Sequence, residues 1–209
     1  MKEAVFITFE GPDGSGKTTQ SKMLYEELLR QGRPAIWTRE PGGTKSGRKI
    51  RSMLLDDPGV ELSPETELFL FAADRAQHIA EIIRPALDAG KIVICDRYMD
   101  STTAYQSGGR GFPVEMIVAL NEYSTGGLRP DLTFLLDVPS GIGLKRAAGR
   151  KTDKFEQESL VFHQRVRQKY LDLAQSDSRI VVLDGSAPIK TIFQVILTYL
   201  QNNCSIINK

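Results

Sequence analysis

The chain has 209 residues and a formal net charge of +1 at pH 7, a length that suits one α/β domain with a large core. The near balance of charges argues against nucleic acid or an anionic membrane as a main partner. Its two cysteines provide no disulfide framework. Because we find neither a signal peptide nor an apolar run long enough to cross a membrane, we expect a cytoplasmic protein.

The N-terminal stretch predicts a phosphate-binding loop. An apolar run at residues 4–9 indicates a buried strand, and helix-forming residues begin at Thr18. Between them, the sequence GPDGSGKT matches the pattern G-x-x-x-x-G-K-[ST] in the strand–loop–helix context that this motif requires. Lys17 is then expected on the β- and γ-phosphates and Thr18 on Mg²⁺. The predicted ATP-binding residues are Gly11, Pro12, Asp13, Gly14, Ser15, Gly16, Lys17, Thr18 and Thr19.

Apolar runs alternate with helical patterns through the rest of the chain. Four further strands are predicted at residues 35–38, 91–96, 132–138 and 179–184. Among the predicted helices is one from residue 63 to 89, which we expect Pro85 to break or kink, and one at 156–174. Residues 108–111, GGRG, are expected to form a flexible break. Five apolar strands alternating with helices predict a doubly wound α/β fold, a five-stranded parallel sheet flanked by helices.

Two pairs of side chains stand where this fold would present them to a ligand. Asp96 and Asp137 both end buried strands, so either carboxylate could coordinate Mg²⁺ beside the phosphate loop. Phe71 and Arg75 share one helix face, and they offer a ring for stacking and a planar fork for a phosphate. Spacing alone nevertheless favours a core phenylalanine and a surface arginine.

Five stretches of the chain form a more specific pattern. They are the phosphate loop, TREPGG at 38–43, FAADR at 71–75, DRYMDS at 96–101 and AYQ at 104–106. In this order, and over nearly the whole chain, they resemble bacterial thymidylate kinases. The resemblance implies one P-loop NTPase-type kinase domain over residues 1–209 that phosphorylates dTMP with ATP and Mg²⁺. The nearest alternative is another nucleoside monophosphate kinase of this fold, of the UMP or CMP type.

The resemblance assigns residues around dTMP. It implies that thymine stacks on Phe71, that Asp13 meets the sugar 3′-hydroxyl and that Tyr105 crowds the 2′ position. Without the resemblance, the arginines would be solvated surface charges and the polar residues after Asp100 a plain helix face. The implied dTMP-binding residues are Asp13, Arg39, Glu40, Pro41, Arg51, Phe71, Arg75, Arg97, Ser101, Thr102, Tyr105 and Gln106.

The basic cluster around Gly149 falls where the family has its lid over ATP, at about residues 145–155; a solvated charge run is the alternative. Eukaryotic relatives carry an arginine at the position of Gly14, so the catalytic arginine is expected from the lid. Lys154 stands where the family commonly has arginine, which leaves Arg150 or Arg146. The implied catalytic residues are Lys17, Arg97, Arg146 and Arg150.

The resemblance also favours Asp96 over its rival as the Mg²⁺ ligand beside Thr18, with Glu10 orienting metal-bound water. His78 and His163 have no partner at metal-ligand spacing, so we expect surface or packing residues. The family forms homodimers through helix packing, for which the apolar faces of residues 68–83 and 116–120 are candidates.

Overall fold

A computed structural model describes residues 4–57, 59–148 and 153–203. Within them, five parallel strands form one sheet in the order β2-β3-β1-β4-β5. The predicted doubly wound sheet is therefore confirmed. The strands are β1 (Val5–Glu10), β2 (Ala35–Arg39), β3 (Ile92–Asp96), β4 (Leu132–Asp137) and β5 (Ile180–Asp184).

Helices connect the strands and complete the layers. Wider π-helical turns follow three of the helices, at Ser52–Asp56, Ile79–Ile83 and Thr103–Gly109. No helix in the described part of the chain combines the length and apolar character needed to cross a membrane. The helices are α1 (Lys17–Arg30), α2 (Lys45–Arg51), α3 (Pro64–His78), α4 (Arg84–Asp88), α5 (Met99–Thr102), α6 (Val114–Thr125), α7 (Ser140–Ala147), α8 (Leu160–Ser176) and α9 (Ile189–Asn203).

The central strands are apolar on both faces because helices pack against both. Ile7 and Phe9 of β1 join a core with α1 and α9, whereas Phe6 points to the opposite core formed with the helical run after α3. The parallel register places Phe9 opposite Asp96 and Asp96 opposite Arg39. The carboxyl ends of β1, β2 and β3 therefore meet at one edge of the sheet, where ligands bind in folds of this type.

The chain stays helical across Pro85, but the regular α-helix is interrupted before it and a short helical piece follows, as expected. Helix α3 passes into the π-helical turn Ile79–Ile83 and then directly into α4, with Pro85 in its first turn. Proline lacks a backbone N–H and its ring crowds the preceding turn, so a regular helix would lose a hydrogen bond there. A wider turn immediately before the proline provides an arrangement that keeps the helical run continuous.

The expected flexible break at residues 108–111 is wrong at its start. The helical run that begins with α5 continues through Gly109, which is buried. A β-carbon at Gly109 would collide with the Phe162 ring of α8. These glycines therefore permit close packing between helices, which sequence alone cannot distinguish from flexibility. Helix α8 itself begins later than residue 156, at Leu160, because Ser159 caps it by accepting a hydrogen bond from the Phe162 N–H at 3.2 Å.

This packing predicts opposite effects for two glycine substitutions. Gly109→Ala should destabilise the protein by about 1–3 kcal/mol, because the new methyl group overpacks the Phe162 ring. Gly141→Ala is the matched control within α7, where an added β-carbon meets nothing within 4 Å. It should stabilise by about 0.4–1 kcal/mol through the unfolded state. Urea unfolding measures both, and equal midpoints for the two variants would contradict this account of Gly109.

Candidate active site

The phosphate loop lies between β1 and α1 and is shaped by glycines. Gly14 and Gly16 adopt φ angles of 72° and 96°, in the left-handed region. A β-carbon at Gly14 would collide with the Gly143 carbonyl oxygen, so this position cannot hold the arginine of the eukaryotic relatives without rearrangement. The loop curls around Lys17, whose ammonium group donates to the Pro12 carbonyl at 2.8 Å.

Lys17 is almost completely buried at the base of the loop. Burial lowers the pKa of its ammonium group to about 8, and the nearby Arg97 charge acts in the same direction. The ammonium form therefore predominates at neutral pH and is lost as the pH rises through about 8. An incoming polyphosphate would favour the charged form.

The two residues predicted to hold Mg²⁺, Thr18 and Asp96, meet at the first turn of α1. The Thr18 hydroxyl donates to the Asp96 carboxylate across the end of β3. A hydroxyl and a carboxylate are oxygen donors, which Mg²⁺ prefers. The rival carboxylate, Asp137, is engaged elsewhere, since its two oxygens accept from Arg167 at 2.7 and 2.8 Å. The geometry thus favours Asp96.

Arg97 connects the phosphate loop to the residues that follow β3. It is the one non-glycine residue with positive φ in the described chain, at 71°. Its guanidinium donates to the Asp13 carboxylate at 2.5 Å and to the Gly11 carbonyl at 3.1 Å. The Tyr105 hydroxyl donates to the other Asp13 oxygen at 2.6 Å. Although burial alone would raise the pKa of Asp13, the Arg97 and Lys17 charges lower it, so this carboxylate is ionised.

Glu10, the last residue of β1, lies close to the Arg97 charge. It is fully buried, and its two oxygens accept from the Tyr98 N–H at 2.7 Å, the Ser101 hydroxyl at 2.6 Å and the Tyr170 hydroxyl at 3.0 Å. Burial, followed by the Asp100 charge, raises its pKa to about 7. A role of Glu10 in orienting metal-bound water stays a prediction.

A cavity opens beside this network. Four residues that line it were not predicted: Leu55, Tyr98, Asp153 and Phe155. Ten of the twelve predicted dTMP-binding residues line the same cavity, namely Asp13, Glu40, Pro41, Phe71, Arg75, Arg97, Ser101, Thr102, Tyr105 and Gln106.

The expectation of a surface arginine from spacing alone is wrong for Arg75, which is only 2% exposed. Its guanidinium donates to Glu40 at 2.8 Å, to Thr102 at 2.9 Å and to Asn121 at 3.0 Å. Phe71, one helical turn earlier, is half-buried on the cavity wall. The pair therefore presents a ring and a fixed guanidinium to the same space.

The two remaining predicted residues, Arg39 and Arg51, form a cationic rim near Pro41. Arg51 donates to the Pro41 carbonyl at 3.1 Å, and burial together with the neighbouring Arg39 charge lowers its pKa. Among the described residues, no carboxylate forms an ion pair with either arginine. Two adjacent cations without a carboxylate partner suit an anion such as a phosphate group.

Comparison with known proteins decides the family. The chain matches a family model described as thymidylate kinase over residues 9–196. Thymidylate kinases of Syntrophotalea carbinolica and Desulfosudis oleivorans are 51% and 50% identical to it over 195 and 193 residues, covering 90% and 88% of this chain and 90% of each relative. This chain belongs to the thymidylate kinase family. A crystal structure of thymidylate kinase from Ehrlichia chaffeensis shares its fold, with a TM-score of 0.77 and 36% identity over 95% of this chain and 99% of that one.

In this thymidylate kinase family member, a second cleft lies on the opposite side of the phosphate loop. It is lined by Gly14, Gly16 and residues 185–189. Arg146 of α7 reaches over it and donates to the Gly185 carbonyl at 2.7 Å and to the Ser186 carbonyl at 3.3 Å. The sequence did not predict this cleft, because the 185–189 loop carries no recognisable motif.

The predicted lid is described only in part. Arg150, one of the two candidate catalytic arginines, lies outside the described residues. The Lys154 ammonium group donates to the Val60 carbonyl, so it is committed to the segment before α3. Phe155 is buried, with its ring centroid 5.8 Å from those of Phe71 and Tyr105. This side of the lid segment therefore closes part of the cavity wall.

Both histidines are buried, so the packing alternative holds and the surface alternative is wrong. His163 is 2% exposed and its ring packs edge-on against Phe162. His78 is fully buried and contacts Thr38 and Glu40. In the described parts of the chain, no group of three or more histidine, cysteine or acidic side chains could hold a metal ion.

The low pKa of Lys17 predicts a specific pH profile. The ammonium form binds phosphate, so kcat/KM for ATP should fall about tenfold per pH unit above pH 8, as the free enzyme loses this proton. At saturating ATP the bound triphosphate raises the Lys17 pKa, so kcat should stay level to higher pH. Steady-state kinetics from pH 6.5 to 10 measure both parameters. A kcat/KM for ATP that is flat to pH 10 would contradict the assignment.

Proposed function

We propose that the chain transfers the γ-phosphoryl group of ATP to dTMP and releases ADP and dTDP. The bridge between Arg97 and Asp13 is the observation that carries this proposal, because it ties the phosphate loop to the acceptor cavity. The loop alone would suit any nucleoside triphosphate. The cavity adds Phe71 as a platform for a base and Arg75 as a buried fork beside it. Family membership supports the same reaction.

On the donor side, ATP is proposed to extend from the phosphate loop into the second cleft. The loop N–H groups and the N-terminus of α1 would bind the phosphates, with Lys17 on the β- and γ-phosphates. Arg146, anchored on two carbonyl groups, presents a flat guanidinium that suits stacking on adenine. We therefore favour nucleotide binding over direct catalysis for Arg146. Thr18 and Asp96 would hold Mg²⁺, which neutralises phosphate charge when bound.

On the acceptor side, the base is proposed to stack on Phe71 within reach of two donors. Arg75 is one, and the other is Gln106, whose side-chain nitrogen is buried without a hydrogen-bond partner in the described structure. Thymine presents carbonyl oxygens, which accept from such donors, whereas cytosine presents an amino group at C4. This difference disfavours a CMP-type acceptor.

The sugar and phosphate of dTMP follow from the same placement. Asp13 and Tyr105 would meet the sugar, with the Tyr105 ring against the 2′ position. The phosphate would be surrounded by Arg39, Arg51 and Arg97. Their positive charges would attract it.

The reaction needs positioning and charge neutralisation more than acid–base chemistry. An oxygen of the acceptor phosphate, already an anion, attacks the γ-phosphorus while the bond to the β-phosphate oxygen breaks and ADP leaves. Lys17 and Arg97 would stabilise the charge that develops between donor and acceptor. We assign the further lid arginine to Arg150, because Lys154 is engaged with Val60 and Arg146 with the 185–186 carbonyls.

We further propose a cytoplasmic homodimer. Four exposed apolar side chains on α3 and α6 support an interface: Phe69 is 61% exposed, Met116 41%, Val118 50% and Tyr123 90%. The alternating inner residues, such as Leu68, are core. Residues 1–209 are assigned to one kinase domain with its lid at about 145–155.

An acceptor panel tests the proposed reaction. ADP release is measured with dTMP, its ribose analogue, dUMP, UMP, CMP and AMP. We expect the highest kcat/KM for dTMP and near-background rates for CMP and AMP. The ribose analogue should be about 10- to 100-fold poorer, because its 2′-hydroxyl would be buried against Tyr105 without a partner.

Two variants serve as controls for the panel. Lys17→Ala should lower kcat by several orders of magnitude while the fold persists. Tyr105→Ala should narrow the preference for dTMP over its ribose analogue, mainly by improving the analogue. The proposal is wrong if UMP or CMP is phosphorylated faster than dTMP, or if the Lys17→Ala variant retains normal turnover.

A further inference from the structure

His78, the last residue of α3, is fully buried behind the wall of the acceptor cavity. Its two ring nitrogens each have one partner. Nε2 lies 2.5 Å from the Thr38 hydroxyl at the end of β2, and Nδ1 lies 3.0 Å from the Glu40 carboxylate. The ring thus joins a helix to the loop that begins immediately after β2.

The direction of one hydrogen bond follows from its partner. The Glu40 carboxylate can only accept, so Nδ1 must carry the hydrogen whether the ring is neutral or charged. The Thr38 hydroxyl can serve either state of Nε2, because it can donate or accept. In either state the bond to this hydroxyl holds Nε2 in place, and the ring then directs Nδ1 toward Glu40.

Glu40 links the His78 ring to the Arg75 guanidinium. One Glu40 oxygen accepts from His78 and the other accepts from Arg75 Nε at 2.8 Å. The far edge of the guanidinium is held by Thr102 at 2.9 Å and Asn121 at 3.0 Å. Two opposite edges fix the plane of the guanidinium, and both Glu40 and Arg75 line the cavity.

The loop backbone is shaped to receive the imidazole. A β-carbon at Gly43 would lie 2.5 Å from both Cδ2 and Nε2 of His78. The loop therefore approaches the ring as closely as a glycine allows. The two hydrogen bonds tie this close approach to the strand end on one side and to the acceptor loop on the other.

We propose that His78 is a positioning residue for the acceptor, which holds Glu40 so that Arg75 faces the base of the bound nucleotide. This inference rests on the proposed function, since Arg75 is taken to bind the acceptor base. His78 then sets acceptor affinity without touching the nucleotide. Within the described parts of the chain, its hydrogen-bond partners belong to the β2 end and the loop that follows, and none lies on the ATP side.

Three substitutions separate the two hydrogen bonds. His78→Asn keeps a donor near the position of Nδ1, His78→Gln keeps a polar group near Nε2 only, and His78→Leu removes both. Loss of a hydrogen bond to a charged group should raise KM for dTMP by about 10- to 100-fold in the Gln and Leu variants. The Asn variant should stay closer to the wild type. KM for ATP should change less than about twofold in all three.

A purely structural role gives a different result. Partial unfolding would lower kcat through the active fraction and leave both KM values unchanged. Unchanged KM for dTMP in the Gln and Leu variants, with wild-type urea midpoints, overturns the proposal. Should these variants not fold, Thr38→Val keeps the volume and removes only the hydroxyl that orients the ring. A rise of KM for dTMP of several-fold in that variant supports the proposal, and an unchanged value overturns it.

Calorimetry measures the dissociation constant of dTMP for the wild type and the same variants. It distinguishes failure of the proposed reaction from failure of the proposed role of His78. If the wild type binds dTMP but does not phosphorylate it, the proposed reaction fails while the binding series still tests His78. If the wild type phosphorylates dTMP and the variants bind it equally well, only the role of His78 is wrong.

Discussion

The ion pair between Arg97 and Asp13 is the interaction on which both halves of the site depend. Parallel pairing aligns Phe9 of β1 with Asp96 of β3. The phosphate loop after β1 and the segment after β3 therefore lie next to each other. Arg97 then adopts left-handed φ, which costs roughly 1–2 kcal/mol for a residue with a side chain. Its hydrogen bonds to Asp13 and to the Gly11 carbonyl offset that cost. Donor and acceptor sites thus share one anchored guanidinium.

The charges around this pair are arranged so that positive potential faces the substrates. Asp13 and Glu40 are matched by Arg97 and Arg75, which leaves Arg39 and Arg51 without carboxylate partners among the described residues. The whole chain carries a net charge of only +1. The excess of positive charge is therefore local, as the recognition of two phosphorylated substrates requires.

Local signals predicted the fold and the phosphate loop because each is written in adjacent residues. Continuous apolar runs identify strands that are buried on both faces, such as β3, and the spacing of glycines and lysine in the loop is specific to phosphate binding when a strand precedes it and a helix follows. Packing overruled local propensity at Gly108 and Gly109, where glycines permit close contact with α8. Propensity describes an isolated segment, whereas these positions depend on what lies against them.

Several contacts of the site that sequence missed join residues that are distant along the chain. Tyr170 reaches Glu10 across 160 positions, and Phe155 approaches Phe71 from the lid segment. His78 illustrates the same difficulty, because helical spacing gives no indication that it faces Glu40. A motif identifies the side chains that bind a substrate. The residues that hold them in place become visible only with the fold.

A double-mutant cycle tests most directly whether Arg97 and Asp13 act as one unit. It compares kcat/KM for dTMP in Arg97→Lys, Asp13→Asn and the combined variant, with saturating ATP. If the pair is a unit, either change alone breaks it, and the combined variant should be no worse than the more damaged single variant within about threefold. Losses that multiply, so that the free-energy effects add, would show that the two residues act independently and would contradict this account.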